Sequence, residues 1–340
     1  MSLRVVDTPA VPAKPAKPVP AHHDVPARNP GFPLDLDWVG RVRMNRSALE
    51  RRASTIGTRR TVKKDWQAAW LLKAITLMDL TTLNSDDTPG RVERLCAKAR
   101  HPLTSEIVDG LGIAELNIRP AAVCVYHAFV PTAVKALEGT GIPVAAVSTA
   151  FPHGLAPVDT KIREIEESVA AGAREIDIVI ERQMVLTGDW PALYDQIRAF
   201  RKACGEAHLK TILGTGELAT LNNVAKASLV CMLAGADFIK TSTGKEKVNA
   251  TLPVSLAMIR MIRWFAEETG VEIGYKPAGG IGSAKTALDY MALIKEELGV
   301  HWLQPHLFRF GASSLLTDIE RQLEHNLSGH YAADYRMPMV

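Results

Sequence analysis

Short apolar runs alternate with longer stretches of helical periodicity along most of this chain. The runs are AITLMDL (74–80), AAVCVY (121–126), PVAAVS (143–148), EIDIVI (175–180), LKTILG (209–214), DFIKTS (237–242), EIGYKP (272–277) and LFRFGA (307–312). Each has the length and the β-branched or aromatic content of a strand. Between them, VDTKIREIEESVAAG, DWPALYDQIRAFRKACG, TLNNVAKASLVCMLAG, LPVSLAMIRMIRWFAEETG and SAKTALDYMALIKEELG repeat apolar residues at amphipathic-helix spacing. Each closes on a glycine (Gly172, Gly205, Gly235, Gly270, Gly299) suited to a left-handed helix cap. The run starts lie 22 to 47 residues apart, which leaves room for a helix in every crossover and implies parallel pairing. Eight such units predict an α/β fold of the closed (β/α)8 TIM-barrel type rather than an open doubly wound sheet.

The ends read differently. Residues 1–33 hold eight of the twenty prolines, with Ala and Lys between them and few large apolar groups, so a disordered Pro/Ala-rich tail is expected there. Over 34–72 the spacing of Trp38, Val42, Leu49, Trp66 and Trp70 predicts a helical extension packed on the barrel. The barrel itself is expected over 73–328, with a short C-terminal tail over 329–340.

Composition narrows the class. The chain has 340 residues, 47% of them hydrophobic and 23% charged, and this suits a globular protein with one large core. Its start lacks an apolar signal core and no later stretch is long enough to span a bilayer, so a cytoplasmic protein without a membrane partner is expected. The four cysteines form no CxxC pair, which argues against a disulfide framework or zinc ribbon and for a reducing compartment. A formal charge of +3 hides a basic run: residues 41–64 carry nine Arg or Lys against Glu50 alone. That run reads either as a solvated helix face or as a patch for nucleic acid or an acidic partner, and the missing aromatics favour the first. No GxGxxG follows the first strand, and Gly244–Lys245 lacks the rest of a P-loop.

In such a barrel the chemistry sits at the carboxyl ends of the strands. Asp79, Asp177, Lys210, Lys240 and Lys276 stand late in, or interrupt, otherwise apolar strands. Alternation puts Asp177 on one face with Val179, Lys240 with Phe238, and Lys276 with Gly274, so two amines and two carboxylates converge inside, with Lys210 a possible third amine. The bland alternative is a satisfied ion network that plugs the barrel. The sharper one is imine chemistry, in which an unprotonated lysine, Lys240, attacks a carbonyl. Lys276 as a neighbouring ammonium and partial desolvation would both disfavour the charged form of Lys240, and Asp177 would move protons. Glycine- and serine-bearing loops follow the last three strands: Thr243, Gly244 and Lys245; Gly279 and Gly280; Ser313 and Ser314. Such loops suit a phosphate. The ten histidines show no HxH or HxxxH spacing, and only His127, His153 and His208 lie near strand ends, so no metal is expected.

FIKTSTGK (238–245), YKPAGGI (275–281), EIDIVI (175–180), DLTTL (79–83), AAVCVY (121–126) and GASSLL (311–316) closely resemble the deoxyribose-phosphate aldolase family. The similarity runs from about Leu34 to the C-terminus and is strongest towards the longer, animal-type members. The resemblance implies reversible cleavage of 2-deoxy-D-ribose 5-phosphate to D-glyceraldehyde 3-phosphate and acetaldehyde in deoxynucleoside catabolism, without metal or organic cofactor. By matching motif it implies that Lys240 is the Schiff-base lysine, Lys276 the perturbing amine and Asp177 the proton-relay acid. Thr243, Gly244, Lys245, Gly279, Gly280, Ser313 and Ser314 match its phosphate cradle, and Asp79, Cys124 and Lys210 match residues lining its pocket. The expected partners are small phosphorylated sugar and aldehyde substrates, in a homodimer or monomer, with no nucleic acid. Departures from the family pattern are His127 in place of a proline after VCVY, and the loops TAFPHG (149–154) and GTGEL (214–218). The family's C-terminal tyrosine has two counterparts here, Tyr331 and Tyr335. The competing readings are another class I aldolase with a different phosphosugar, and a scaffold that binds nucleic acid or a partner through residues 41–64.

Overall fold

The computed structural model of this protein describes residues 28–337. Eight parallel strands form one sheet: β1 (Met78–Thr81), β2 (Ala122–Tyr126), β3 (Val144–Ser148), β4 (Glu175–Val179), β5 (His208–Ile212), β6 (Phe238–Lys240), β7 (Gly274–Lys276) and β8 (Phe310–Gly311). Strands consecutive in sequence are neighbours from β1 to β7, and β8 pairs with β1. Bridges Tyr275–Phe308 and Ala278–Gly311, with Arg309 N–H donating to Tyr275 O at 3.0 Å, join the β7 and β8 segments and complete a (β/α)8 barrel.

Every predicted run contains a strand, but the first begins late. Ala74 and Ile75 end a helix whose buried face already includes Leu71 and Leu72. A buried helix end and the start of a buried strand are both continuously apolar, so periodicity alone does not divide them.

The outer layer follows the same order. Helices α1 (Leu36–Arg41), α2 (Arg46–Ser54), α3 (Ile56–Arg59) and α4 (Lys64–Ile75) precede the barrel. The crossovers carry α5 (Pro89–Arg100) and α6 (Ser105–Leu111), α7 (Val130–Ala136), α8 (Val158–Ala170), α9 (Arg182–Thr187) and α10 (Trp190–Cys204), α11 (Leu221–Leu233), α12 (Leu252–Thr269) and α13 (Ala284–Glu297); α14 (Ser314–Ser328) closes the fold. The core lies between helices and sheet. Ile176 and Ile178, the outward residues of β4, and Ile180 just beyond it are fully buried in it.

The first two lead-in helices start on side-chain caps: Asp35 accepts from Trp38 N–H and Asn45 from Ala48 N–H, satisfying amides that have no partner within the helix. Trp38 then packs against the rings of Trp264 and Phe265 on α12, at 5.5 and 6.1 Å. Three cations of the basic run form a seam. Arg52, Arg59 and Arg60 all reach Glu296 on α13, at 2.7, 3.2 and 2.5 Å, and Arg52 also meets Glu297. Those three cations are therefore engaged within the fold, which weakens the reading of 41–64 as a nucleic-acid patch.

The tail expected over 1–33 falls mostly on residues 1–27, outside the described residues. Residues 28–33 are held in place, because the Asn29 side chain donates to Met232 O and Ala236 O, its backbone N–H donates to Asp237 Oδ1, and Phe32 N–H donates to Leu233 O. A single asparagine that satisfies three backbone or carboxylate groups is invisible to composition. At the other end, Ala332 and Met337 are buried beyond α14, and Arg336 pairs with Glu324 at 2.7 Å. Among the described residues no helix is long and apolar enough to cross a membrane.

Candidate active site

Strand alternation builds the interior. In β4 it sends Glu175, Asp177 and Val179 to the barrel axis, and Lys210 of β5 lies in register with Asp177. Lys240 and Lys276 are in register across β6 and β7. Asp79 comes from β1, and Arg309 enters from the segment before β8. All seven charged side chains are buried. Two glycines make the room: a Cβ on Gly274 would lie 2.3 Å from the Phe238 ring, and one on Gly311 would lie 3.3 Å from Lys276 Cε.

The polar groups form one connected cluster. Asp177 Oδ2 accepts from Lys240 Nζ at 2.8 Å and Lys276 Nζ at 2.7 Å, and its Oδ1 accepts from Lys210 Nζ at 3.0 Å. Lys276 also contacts Asp79 Oδ2 at 2.5 Å, while Arg309 contacts Asp79 Oδ1 at 2.5 Å and Glu175 Oε1 at 2.9 Å. Lys210 bonds Glu175 as well and lies 3.4 Å from Asp79. Sequence reading found five of these residues and missed Glu175 and Arg309. Parity held the signal for Glu175, which stands two residues before Asp177 on the same face. Arg309 likewise alternates with the outward rings of Phe308 and Phe310.

Charge counting singles out one amine. Four cations, Lys210, Lys240, Lys276 and Arg309, meet three carboxylates, Asp79, Glu175 and Asp177. An uncompensated charge in a dry interior costs several kcal/mol, so the cluster is best balanced when one cation gives up its proton. The surroundings select Lys240. Burial disfavours its ammonium, Asp177 opposes this, Lys276 adds to the depression, and its pKa falls below the ordinary lysine value. Burial acts on Lys276 and Lys210 too, but there the carboxylates outweigh it and both are raised. Burial likewise pushes Asp177 up, yet Lys210, Lys240 and Lys276 together hold it well below the usual carboxylate range. Asp177 is thus ionised.

The mouth above Lys240 has an apolar side and a polar side. Leu83, Cys124, Ala145 and Val147 cluster with the rings of Tyr126 and Phe151, and burial raises the Cys124 thiol, keeping it neutral. On the polar side, Gly279 and Gly280 take positive φ of 81° and 79°, a conformation that favours glycine. Among the described residues no hydrogen bond occupies the amides of Gly279, Gly280, Ser313 or Ser314. The side chain of Ser313 leaves its own helix uncapped and instead bonds Thr81, donating to its carbonyl at 2.5 Å. The two segments adjoin, since a Cβ on Gly282 would lie 3.3 Å from Ser314 Oγ.

The loop after β6 differs from the expected cradle. The amides of Thr243 and Gly244 donate to the Glu246 carboxylate at 3.1 and 3.2 Å, and that of Lys245 to Thr243 Oγ1 at 3.1 Å. These three amides are already occupied, so of the predicted cradle residues in this loop it is Lys245, through its exposed side chain, that remains open to an anion. Ser242, another residue that sequence reading missed, holds a buried hydroxyl with no partner among the described residues, two positions beyond Lys240.

The remaining candidates lie elsewhere. Among the described residues no group of three or more His, Cys, Asp or Glu is placed to hold a metal ion. His208 begins β5 at the opposite end of the barrel, where burial pushes its pKa down to about 3 and keeps it neutral. His127 pairs with Glu164 at 3.2 Å, and Glu164 also accepts the amide of Ala150 at 2.9 Å, so this departure from the family pattern ties down the loop after β3. Tyr331 stacks on His325 at the far end of α14, 4.2 Å between ring centroids, and Tyr335 is exposed. Neither belongs to the cluster.

A (β/α)8 barrel whose interior amines and carboxylates meet beneath a mouth at the carboxyl ends of its strands has the layout of a barrel enzyme. The chain belongs to the DeoC/LacD family of aldolases, whose model matches residues 73–316. It is 58% identical over 315 residues to the deoxyribose-phosphate aldolase of Homo sapiens, covering 92% of this chain and 99% of that one. Identity to the Bos taurus deoxyribose-phosphate aldolase is 56%, over the same shares of both chains. Among solved structures, an aldolase designated QR15 is 27% identical with a TM-score of 0.57, covering 75% of this chain and 97% of that one. The tetrameric deoxyribose phosphate aldolase of Aeropyrum pernix shares the fold at 22% identity and a TM-score of 0.57, with 82% and 99% covered.

Proposed function

We propose that this aldolase works through a Schiff base on Lys240, reversibly cleaving 2-deoxy-D-ribose 5-phosphate to D-glyceraldehyde 3-phosphate and acetaldehyde in deoxynucleoside catabolism. The observation that carries the reading is the one surplus amine among three buried carboxylates. Lys240 Nζ, unprotonated, adds to the substrate's C1 aldehyde; the carbinolamine loses water and becomes an iminium. Asp177 accepts and returns the protons of these steps. The iminium draws in the electron pair of the C2–C3 bond as the C3 hydroxyl loses its proton, so C3 leaves as an aldehyde and C1–C2 stays behind as an enamine. Protonation at C2 and hydrolysis then release acetaldehyde and restore the amine. The apolar wall around Cys124 suits the two-carbon fragment, and the free amides of Gly279, Gly280, Ser313 and Ser314, with Lys245, suit the phosphate. Asp79 and Lys210 hold the cluster in register. The assembly we infer is a homodimer or monomer, and four buried free thiols suit a cytoplasmic compartment.

Borohydride reduction with acetaldehyde, followed by peptide mapping, tests the reading. The expected adduct sits on Lys240 and disappears in Lys240→Ala; a folded wild-type protein that forms none sinks the imine mechanism. A second expectation concerns Lys276→Met, which leaves three cations facing three carboxylates. Lys240 then pairs with Asp177 unopposed and keeps its proton, so the acid limb of the kcat/KM profile moves alkaline by about one pH unit or more. A limb that stays in place would refute the role given to Lys276.

A further inference from the structure

Arg182 opens α9 just beyond the end of β4, yet its contacts reach across four strand ends. Its guanidinium donates to His153 O at 2.9 Å and Pro152 O at 3.2 Å in the loop after β3, pairs with Glu217 at 2.7 Å after β5, and meets Glu246 Oε1 at 3.2 Å after β6. Both partners of that last pair are sheltered, with side-chain exposures of 11% and 2%. Gly214 lies against the guanidinium, where a Cβ would stand 2.4 Å from Arg182 Nε.

Glu246 carries the contact onward. Its carboxylate accepts from the amides of Thr243 and Gly244 and from Thr243 Oγ1 at 2.8 Å, and Thr243 Oγ1 in turn accepts the amide of Lys245. A buried carboxylate that takes two backbone N–H groups and a hydroxyl fixes the path of the chain, because each donor would otherwise lose its hydrogen bond in a dry site. The path so fixed begins three residues after Lys240 and sets where Lys245 leaves the loop. Nothing in the proposed chemistry uses Arg182 or Glu246, and a surface loop does not need a buried ion pair beneath it.

We propose that Arg182 and Glu246 are positioning residues that hold the loop after β6 so that Lys245 meets the substrate's phosphate, making the pair a determinant of preference for phosphorylated over unphosphorylated substrates. This rests on the aldolase reading above. The pair touches neither Lys240 nor Asp177, so its effect falls on substrate capture and not on imine formation.

The test compares Glu246→Ala, Glu246→Gln, Arg182→Met and the double variant Arg182→Met/Glu246→Ala with wild type. KM for deoxyribose 5-phosphate is expected to rise about tenfold in Glu246→Ala, equivalent to one lost charge-assisted contact. Glu246→Gln, which keeps one acceptor oxygen, should rise less, and the double variant no more than the worse single one, because the two residues act as a unit. Acetaldehyde carries no phosphate, so its borohydride-trapped adduct on Lys240 should form in all four variants at rates within about twofold of wild type. An unchanged KM in Glu246→Ala, or trapping that falls in step with kcat/KM, overturns the proposal. Failure of trapping in the wild type would instead remove the aldolase reading beneath it.

Discussion

Lys240→Met is expected to abolish turnover while leaving the protein at least as stable as wild type. Loss of a covalent nucleophile lowers kcat by on the order of 10^4 to 10^6, since the carboxylates raise the pKa of both Lys210 and Lys276 and neither replaces it. Folding has the opposite interest. With Lys240 gone, Lys210, Lys276 and Arg309 face Asp79, Glu175 and Asp177, three against three, and a methionine fills the space without a polar head. Replacing a buried polar group by an apolar one of similar length is commonly neutral or stabilising. Thermal melting and steady-state assays on the same preparation check both halves. A melting temperature that falls by more than about 4 °C would mean that Lys240 carries a structural charge, and the argument from surplus charge would fail.

Arg309→Met removes a cation that the balance requires. Asp79 Oδ1 and Glu175 Oε1 lose their partner in the lower half of the barrel, at a cost of about 3–5 kcal/mol for breaking a buried pair from one side. A domain of this kind has little more than twice that to lose, so a drop of many degrees in melting temperature is expected. The surviving protein should also behave differently with pH. Three lysines now face three carboxylates, Lys240 is drawn into the balance as an ammonium, and the acid limb of kcat/KM moves to higher pH. The sign is fixed because the reactive form is the neutral amine: whatever raises the pKa of Lys240 removes activity from the low-pH side. Equal stability, or a limb displaced to lower pH, would show that the seven groups do not share one charge balance. Denaturant unfolding and pH-rate profiles of Arg309→Met decide the matter.

The strands and helices of the barrel were legible along the chain because each is stabilised by a repeating local pattern. EIDIVI reads as a strand with isoleucines on one face whatever surrounds it, and the glycine-terminated amphipathic segments announce their own ends. Interior direction followed from the same parity, which places Asp177, Lys240 and Lys276 inside, and the same count would have placed Lys210, Glu175 and Arg309 there. Where two buried elements adjoin without a turn, as at Ala74 and Ile75, the pattern gives no boundary. Tertiary structure alone decided contacts between residues far apart in sequence: Asn29 with Asp237, Arg60 with Glu296, Arg182 with Glu246. These depend on where loops pass in space, and a charged residue in a loop looks the same whether it is solvated or paired. The sequence determined which amines and carboxylates enter the barrel, because alternation is local. Which of those amines lies without a matching carboxylate, and which amides remain free at the mouth, are sums over neighbours from several strands, and only the closed barrel brings those neighbours within reach of one another.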